Sequence, residues 1–411
     1  MRKIVVLGNS MAGVRVIEEL FSAGEEITPI LVSFDKYYPY YPDMLEGVIS
    51  SSLPFSKIVY KDKNFYSENN IQLLFDEKIS RINFKASRII TKSKNRIEYD
   101  ILIITMPVSY KFPDIKGVNK RGVFTLKTLS EAVQIQDMLP LSETVIIVSD
   151  SLSGIRQAWA FWSRGKDVIL LTAKPYLWEG IVDIEYANQL EQELKKKGIN
   201  IITNNEIVEI LGDSNLKAVR LKTGKVIATD IIIFDNIAPE LRMFKEAGLN
   251  INQGICVDER FNTNIKNVFA CSLVCEMEGI SFFENNSFDG CLSELYKEQA
   301  KTIASAIMNK DMVFQAPFAG THFKIDDITI TTIGRIPTRD SNVEIITDFD
   351  KETGVYKRLF VNNDIVVAAI LINADEDKLI IKAQIKAGAN IREFIKLGVI
   401  KRNEEQILLA K

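Results

Sequence analysis

Histidine is almost absent from this chain, which carries His322 alone. General acid–base work by a histidine pair is therefore excluded, and a single residue is better read as an ordinary structural side chain. Cysteine is scarce as well. The four thiols, Cys256, Cys271, Cys275 and Cys291, all lie in the second half and form no Cys-x-x-Cys pair. Neither a zinc site nor a local redox disulfide is expected from that spacing, and no metal ligands are assigned. No apolar run reaches the roughly 18–20 residues of a membrane span, and the N-terminus enters an apolar strand without a signal-peptide pattern. The expectation is a cytoplasmic protein that does not engage a membrane. A net charge of −3 and a pI near 5.7 give no electrostatic reason to expect nucleic acid as a partner.

What is present is a nucleotide-binding layout written twice. Ile4-Val5-Val6-Leu7-Gly8-Asn9-Ser10-Met11-Ala12-Gly13 is an apolar run feeding a Gly-x-Ser-x-x-Gly turn, followed by helix-like Val14–Ala23. A strand, a tight turn and a helix N-terminus make a phosphate seat. Val145-Ile146-Ile147-Val148-Ser149-Asp150-Ser151-Leu152-Ser153-Gly154 repeats the order, with serine at the first two glycine positions. Those two glycines serve the turn and the close approach of backbone to pyrophosphate, whereas the third serves helix–strand packing. The second copy thus keeps the residue that builds the fold and loses those that admit the ligand. Asp150 adds charge to that loop, and an anion about 5 Å from a phosphate costs roughly 3 kcal/mol at an effective dielectric of 20.

At 411 residues the chain is long enough for two or three domains. Apolar runs at Ile27–Ser33, Tyr99–Thr105, Val168–Thr172, Ile199–Thr203 and Ile231–Phe234 read as buried strands. Lys127–Leu139, Gly154–Arg164, Ile184–Lys197 and Leu292–Met308 read as helices. Asp35 to Pro42, rich in tyrosine and proline, is a stiff loop. Trp159, Phe161 and Trp162 are expected in the core, where their helix packs on its sheet. From about Val313 the pattern changes to hairpin strands, Ile328–Ile333, Val343–Asp348, Val355–Val361 and Ile365–Ile372, closed by helices near Glu376–Ala387 and Ile391–Leu397. The fold class expected is α/β: two Rossmann-like three-layer dinucleotide-binding domains plus a C-terminal α+β domain.

The order of these pieces resembles the pyridine nucleotide-disulfide oxidoreductase superfamily, flavoproteins with two dinucleotide-binding domains. The likeness is greatest to the branch of the nitrite reductase flavin subunit, rubredoxin reductases and NADH oxidases. It is carried by Gly8 to Gly13, Tyr37 to Pro42, Glu246-Ala247-Gly248-Leu249, Gly254 to Glu259, Thr263 to Ala270, and Thr353 to Leu359 before Val366–Leu371.

The resemblance implies FAD on a discontinuous domain, 1–110 with 250–312, an NAD(P)-type domain at 111–249 and a dimerisation-type domain at 313–411. The FAD-site candidates it implies are Gly8, Ser10, Met11, Ala12, Gly13, Asp35, Thr105 and Ser272. Departures from the family pattern are concentrated at nucleotide-facing positions. Phe34 stands at the ribose-binding glutamate, with Asp35 beside it as a substitute. Met106 stands in the Ala-Thr-Gly turn, and Ser272-Leu273 replaces the late Gly-Asp. On the second domain Thr172 and Arg156 replace acidic residues, and Asp235 replaces a glycine. Arg156 with Lys174 leaves open a shift to the 2′-phosphate of NADP. No cysteine stands in the loop Tyr41-Pro42-Asp43, where disulfide-reducing relatives carry one. Two readings follow. One is a FAD-containing oxidoreductase or redox-complex subunit with an impaired NAD(P)H site and no redox-active disulfide, fed by a partner redox protein or acting as a homodimer. The other is a cofactor-free degenerate paralogue with a structural role.

Overall fold

The computed structural model describes the chain except residues 9, 107–109, 236–237, 279, 283–291, 319, 338–342 and 401–411. The described residues fall into two compact units, those within 1–171, 205–282 and 292–317, and those within 172–204 and 318–400.

The first unit is organised by two parallel sheets. Strand Arg2–Leu7 lies between Ile27–Val32 and Ile101–Ile104, with Gln72–Leu74 and Val268–Ala270 at the edges. Its register sets Val5 beside Ile30 on one side and Leu102 on the other. Ile101–Ile104 is buried at every position, as a strand covered on both faces requires, and this is why it reads as an unbroken apolar run. The second sheet repeats the plan. Thr144–Val148 lies between Asp167–Leu171 and Ile231–Phe234, with the short Val123–Phe124 beyond.

Each central strand hands its chain to a helix. Met11–Ser22 buries Met11, Val14, Ile17 and Leu20, at helical spacing, and leaves Glu18 and Glu19 half-buried. It starts three residues before the periodic stretch because Gly13 belongs inside the helix. A Cβ at Gly13 would come within 2.3 Å of Val6 Cγ1. The second helix, Leu152–Trp162, packs on Asp167–Leu171 and buries Leu152, Ile155, Ala158 and Phe161. Here the expectation for the tryptophans is corrected. Only Phe161 enters the core, while Trp159 and Trp162 are half-buried and stack on each other with centroids 4.4 Å apart. Three residues apart, they share a helix face that is not the one carrying Phe161.

The tyrosine loop holds no helix before Pro42, as its composition requires. Tyr40 is buried and its hydroxyl accepts from the Leu129 amide at 3.0 Å, while Tyr38 packs on Tyr66 and Phe75. The short helices that follow, Leu45–Ile49, Phe55–Ile58 and Lys63–Glu68, are absent from the sequence reading.

In the second unit, an antiparallel sheet runs in the order His322–Ile325, Ile328–Gly334, Ile365–Ile372, Val355–Asn362, Glu344–Asp350. Helices Lys378–Lys386 and Ile391–Lys396 bury Ile381, Ile385 and Phe394 with Leu359, Val361 and Leu371. Helix Ile184–Lys196 lays Tyr186 against Tyr356, centroids 4.5 Å apart, and Asp183 caps it by accepting from the Tyr186 amide. His322 donates to or accepts from Thr331 on the neighbouring strand, in keeping with a structural role.

Candidate functional site: two nucleotide seats compared

The internal repeat is visible in backbone hydrogen bonds. Gly8 N–H donates to Val32 at 2.8 Å, and Ser149 N–H donates to Leu171 at 3.0 Å. Thr105 N–H donates to Leu7 at 2.9 Å, and Asp235 N–H to Val148 at 3.1 Å. These bonds pair Gly8 with Ser149 and Thr105 with Asp235, while the helix caps pair Ser10 with Ser151 and the packing glycines pair Gly13 with Gly154.

In the first seat Gly8 has φ +123°, a conformation that L side chains rarely adopt, and a Cβ there would meet Thr105 Oγ1 at 2.6 Å. Ser10 caps the helix, its hydroxyl accepting from Ala12 N–H at 3.1 Å. Met11, Ala12 and Gly13 form the buried first turn. Thr105 is buried and its hydroxyl donates to the Leu7 carbonyl at 3.3 Å, so its side chain ties two strand ends together. Asp35 is 2% exposed: its Oδ1 accepts from Ser130 and from the Lys36 amide, and its Oδ2 has no hydrogen-bond partner. Burial pushes its carboxyl up, against the pull of Ser130. Ser272 lies apart from these residues in sequence and is held at φ 68°; its amide donates to Gln299 Oε1 at 2.7 Å.

An adenosine ribose fits this seat. The orphaned acceptor on Asp35 stands at the end of the second strand, where a ribose hydroxyl is bound in dinucleotide folds. The glycine turn and capped helix N-terminus are the elements that seat a phosphate in such folds, and the Met106 side chain packs over Gly8, with its Cβ 2.7 Å from where a Cβ on Gly8 would lie.

The second seat is built from the same elements around a different occupant. The Asp235 carboxylate, fully buried, lies among the loop serines. Its Oδ2 accepts from Ser149 Oγ at 2.8 Å, Ser151 Oγ at 2.6 Å and Ser153 Oγ at 2.6 Å. Its Oδ1 accepts from Gln157 Nε2 at 2.8 Å and Lys127 Nζ at 3.0 Å. Burial alone would push this carboxyl upward, but Lys127 and the three hydroxyls outweigh it and hold it well below the usual carboxylate range. Ser151 also caps the helix, accepting from Gly154 N–H at 3.3 Å. Gly154 retains its reason to be glycine, since a Cβ there would lie 2.3 Å from Ser149 Oγ.

In this second seat a protein carboxylate already uses the three loop hydroxyls, and a phosphate about 5 Å from it would meet roughly 3 kcal/mol of repulsion at an effective dielectric of 20. The sequence placed both Asp150 and Asp235 at this seat; Asp150 is half-buried, and the carboxylate that the serines hold is Asp235. Gln157, Ser153 and Lys127 were not picked out by the sequence reading. The serines at alternate positions, 149, 151 and 153, were the available signal. The cations that a 2′-phosphate would need stand near carboxylates, Arg156 with Glu46 at 3.5 Å and Lys174 with Glu179 at 4.0 Å.

Among the described residues no cysteine is activated. Cys271 and Cys275 are buried, and burial pushes both thiols well above their ordinary value; Cys256 is raised for the same reason. Cys291 lies outside the described residues. Among the described residues no group of three or more histidine, cysteine or acidic side chains could hold a metal, and no helix is long and apolar enough to cross a membrane.

Comparison with known proteins agrees with this architecture. The chain is 26% identical over 403 residues to a nitrite reductase [NAD(P)H] of Bacillus subtilis (strain 168), covering 97% of this chain and 49% of that one. It is 25% identical over 380 residues to an assimilatory nitrate reductase electron transfer subunit of the same organism, covering 92% of this chain and 48% of that one. The chain thus spans about half the length of these curated relatives. A crystal structure of the covalent putidaredoxin reductase–putidaredoxin complex superposes with a TM-score of 0.78 at 19% identity, covering 93% of each chain. Residues 320–389 match the rubredoxin NAD+ reductase C-terminal domain. With residues 2–290 matching its family model, the chain belongs to the pyridine nucleotide-disulphide oxidoreductase family.

Proposed function

We propose that this chain is a FAD-containing component of an electron-transfer system whose second nucleotide seat is closed to NAD(P)H. The observation that carries the reading is the Asp235 carboxylate held by Ser149, Ser151, Ser153, Gln157 and Lys127. When bound, FAD would supply the redox chemistry, and the protein would supply position and field. Gly8, Ser10, Met11, Ala12 and Gly13 would seat its phosphates, and Asp35 Oδ2 would accept from its ribose. Electrons would come from a partner redox protein, a reading supported by a relative named as an electron transfer subunit and by a similar fold solved in complex with putidaredoxin.

The division into 1–110 with 250–312, 111–249 and 313–411 belongs to the same reading. It is supported by a first sheet that draws Val268–Ala270 back beside Ile101–Ile104. One observation favours the second reading, a cofactor-free subunit. The Ser272 amide, at the family's phosphate-facing position, is engaged by the fully buried Gln299.

Flavin content of the purified protein separates the two. The flavoprotein reading expects FAD to be released on denaturation, or added FAD to lose fluorescence as it is taken up, with Asp35→Ala weakening uptake at least tenfold. Protein that is colourless and takes up no FAD would leave the structural reading.

A further inference from the structure

The second unit carries a half-open cavity of about 440 Å³, large enough for a small organic molecule, and no role assigned above uses it. Its walls include Val182 and Ile184 beside the start of helix Ile184–Lys196, Val343 and Ile345 near the edge strand, and Phe360 and Arg358 from Val355–Asn362. The lining is mixed: these apolar side chains stand with Tyr176, one fixed cation and the Asp183 carboxylate. Arg358 is 8% exposed, yet among the described residues no carboxylate reaches its guanidinium within ion-pair distance, and its Nε has no hydrogen-bond partner. Nη1 donates to the Tyr356 hydroxyl at 3.4 Å, and that hydroxyl donates in turn to Asp183 Oδ2 at 3.1 Å. Asp183 is itself committed, since its Oδ1 caps the helix at Tyr186. The guanidinium also packs 5.7 Å from the Phe360 ring centroid.

A buried cation without an anion is costly, because charge removed from water is stabilised only by a close partner of opposite sign. Arginine presents its donors as a planar fork matched to carboxylate or phosphate. Asp183 shares the cavity but spends its oxygens on the Tyr356 hydroxyl and the Tyr186 amide, so the open place on the guanidinium suits an added anion, and Val343 and Phe360 suit an apolar body attached to it. We propose that this cavity is a binding site for a small organic anion, its acidic group on Arg358 and its apolar part against Val343 and Phe360. The site is independent of the flavin reading, because none of these residues belongs to either nucleotide seat.

The test is calorimetric titration of the full chain with benzoate, hexanoate and phenyl phosphate, alongside thermal melting with the same probes. At least one probe is expected to give heat and to raise the melting midpoint, and the better of benzoate and phenyl phosphate identifies the preferred acidic group. Arg358→Met should bind at least tenfold more weakly while melting no lower than the parent without ligand, because it removes an uncompensated buried charge. Val343→Trp, which leaves Arg358 in place and fills the cavity, should lose the heat with an unchanged circular dichroism spectrum. No heat from any probe, or heat undiminished in both variants, overturns the proposal.

Discussion

Asp235 is the residue on which the reading of the second seat turns, and its charge makes a testable demand on pH. Its carboxyl is lowered in the fold from an ordinary value of 3.8. A lowered pKa means that the folded state holds the carboxylate more tightly than the unfolded state does. The resulting stability is present above the unfolded value and is lost as pH falls through the folded one. Urea unfolding of the parent should thus weaken below about pH 4, and Asp235→Asn should flatten that acid limb. At neutral pH Asp235→Asn should cost about 3–5 kcal/mol, since it leaves Lys127 and three hydroxyls without their anion. A neutral-pH loss well under 1 kcal/mol would show that the network is not what holds the loop. Gly13 carries a separate prediction at the same scale. Gly13→Ala forces a Cβ to within 2.3 Å of Val6 Cγ1 and should destabilise by about 1–3 kcal/mol in the same assay.

Among elements, helix Leu152–Trp162 has its N-terminus tied twice by one side chain, because Ser151 both caps it and donates to Asp235. Ser151→Ala should cost about 1 kcal/mol for the cap and more for the lost bond to a charge, read as faster amide exchange in the first turn. Strand reading from sequence worked at this scale where an apolar run is closed by turn residues. Ile231–Phe234 and Ile365–Ile372 have the ends the sequence implies. Helix Met11–Ser22 was legible except for its start, since glycine reads as a breaker until its contact with Val6 is seen. Leu45–Ile49, Phe55–Ile58 and Lys63–Glu68 are too short to show a helical period. The seat itself was half legible. Loss of glycine at 149 and 151 was plain, but the union of Ser149 with Asp235 spans 86 residues, and nothing local announces which acid turns inward.

For the whole molecule, the family plan is retained while its two seats have diverged. The first keeps a glycine at positive φ and an orphaned acceptor at Asp35, features that suit a bound dinucleotide. The second spends its donors on the chain's own carboxylate. Removing that carboxylate should reopen an anion site, so Asp235→Gly is expected to bind inorganic pyrophosphate in calorimetry where the parent gives no heat. The relatives that match nearly all of this chain are about twice its length, so electron delivery through a partner or a further domain is the arrangement to test. The most direct measurement is the visible spectrum of the flavin-loaded protein during anaerobic addition of NADH and then NADPH. The flavin bands should persist with both nucleotides and bleach only with dithionite, whereas rapid bleaching by either nucleotide would contradict a seat closed by Asp235.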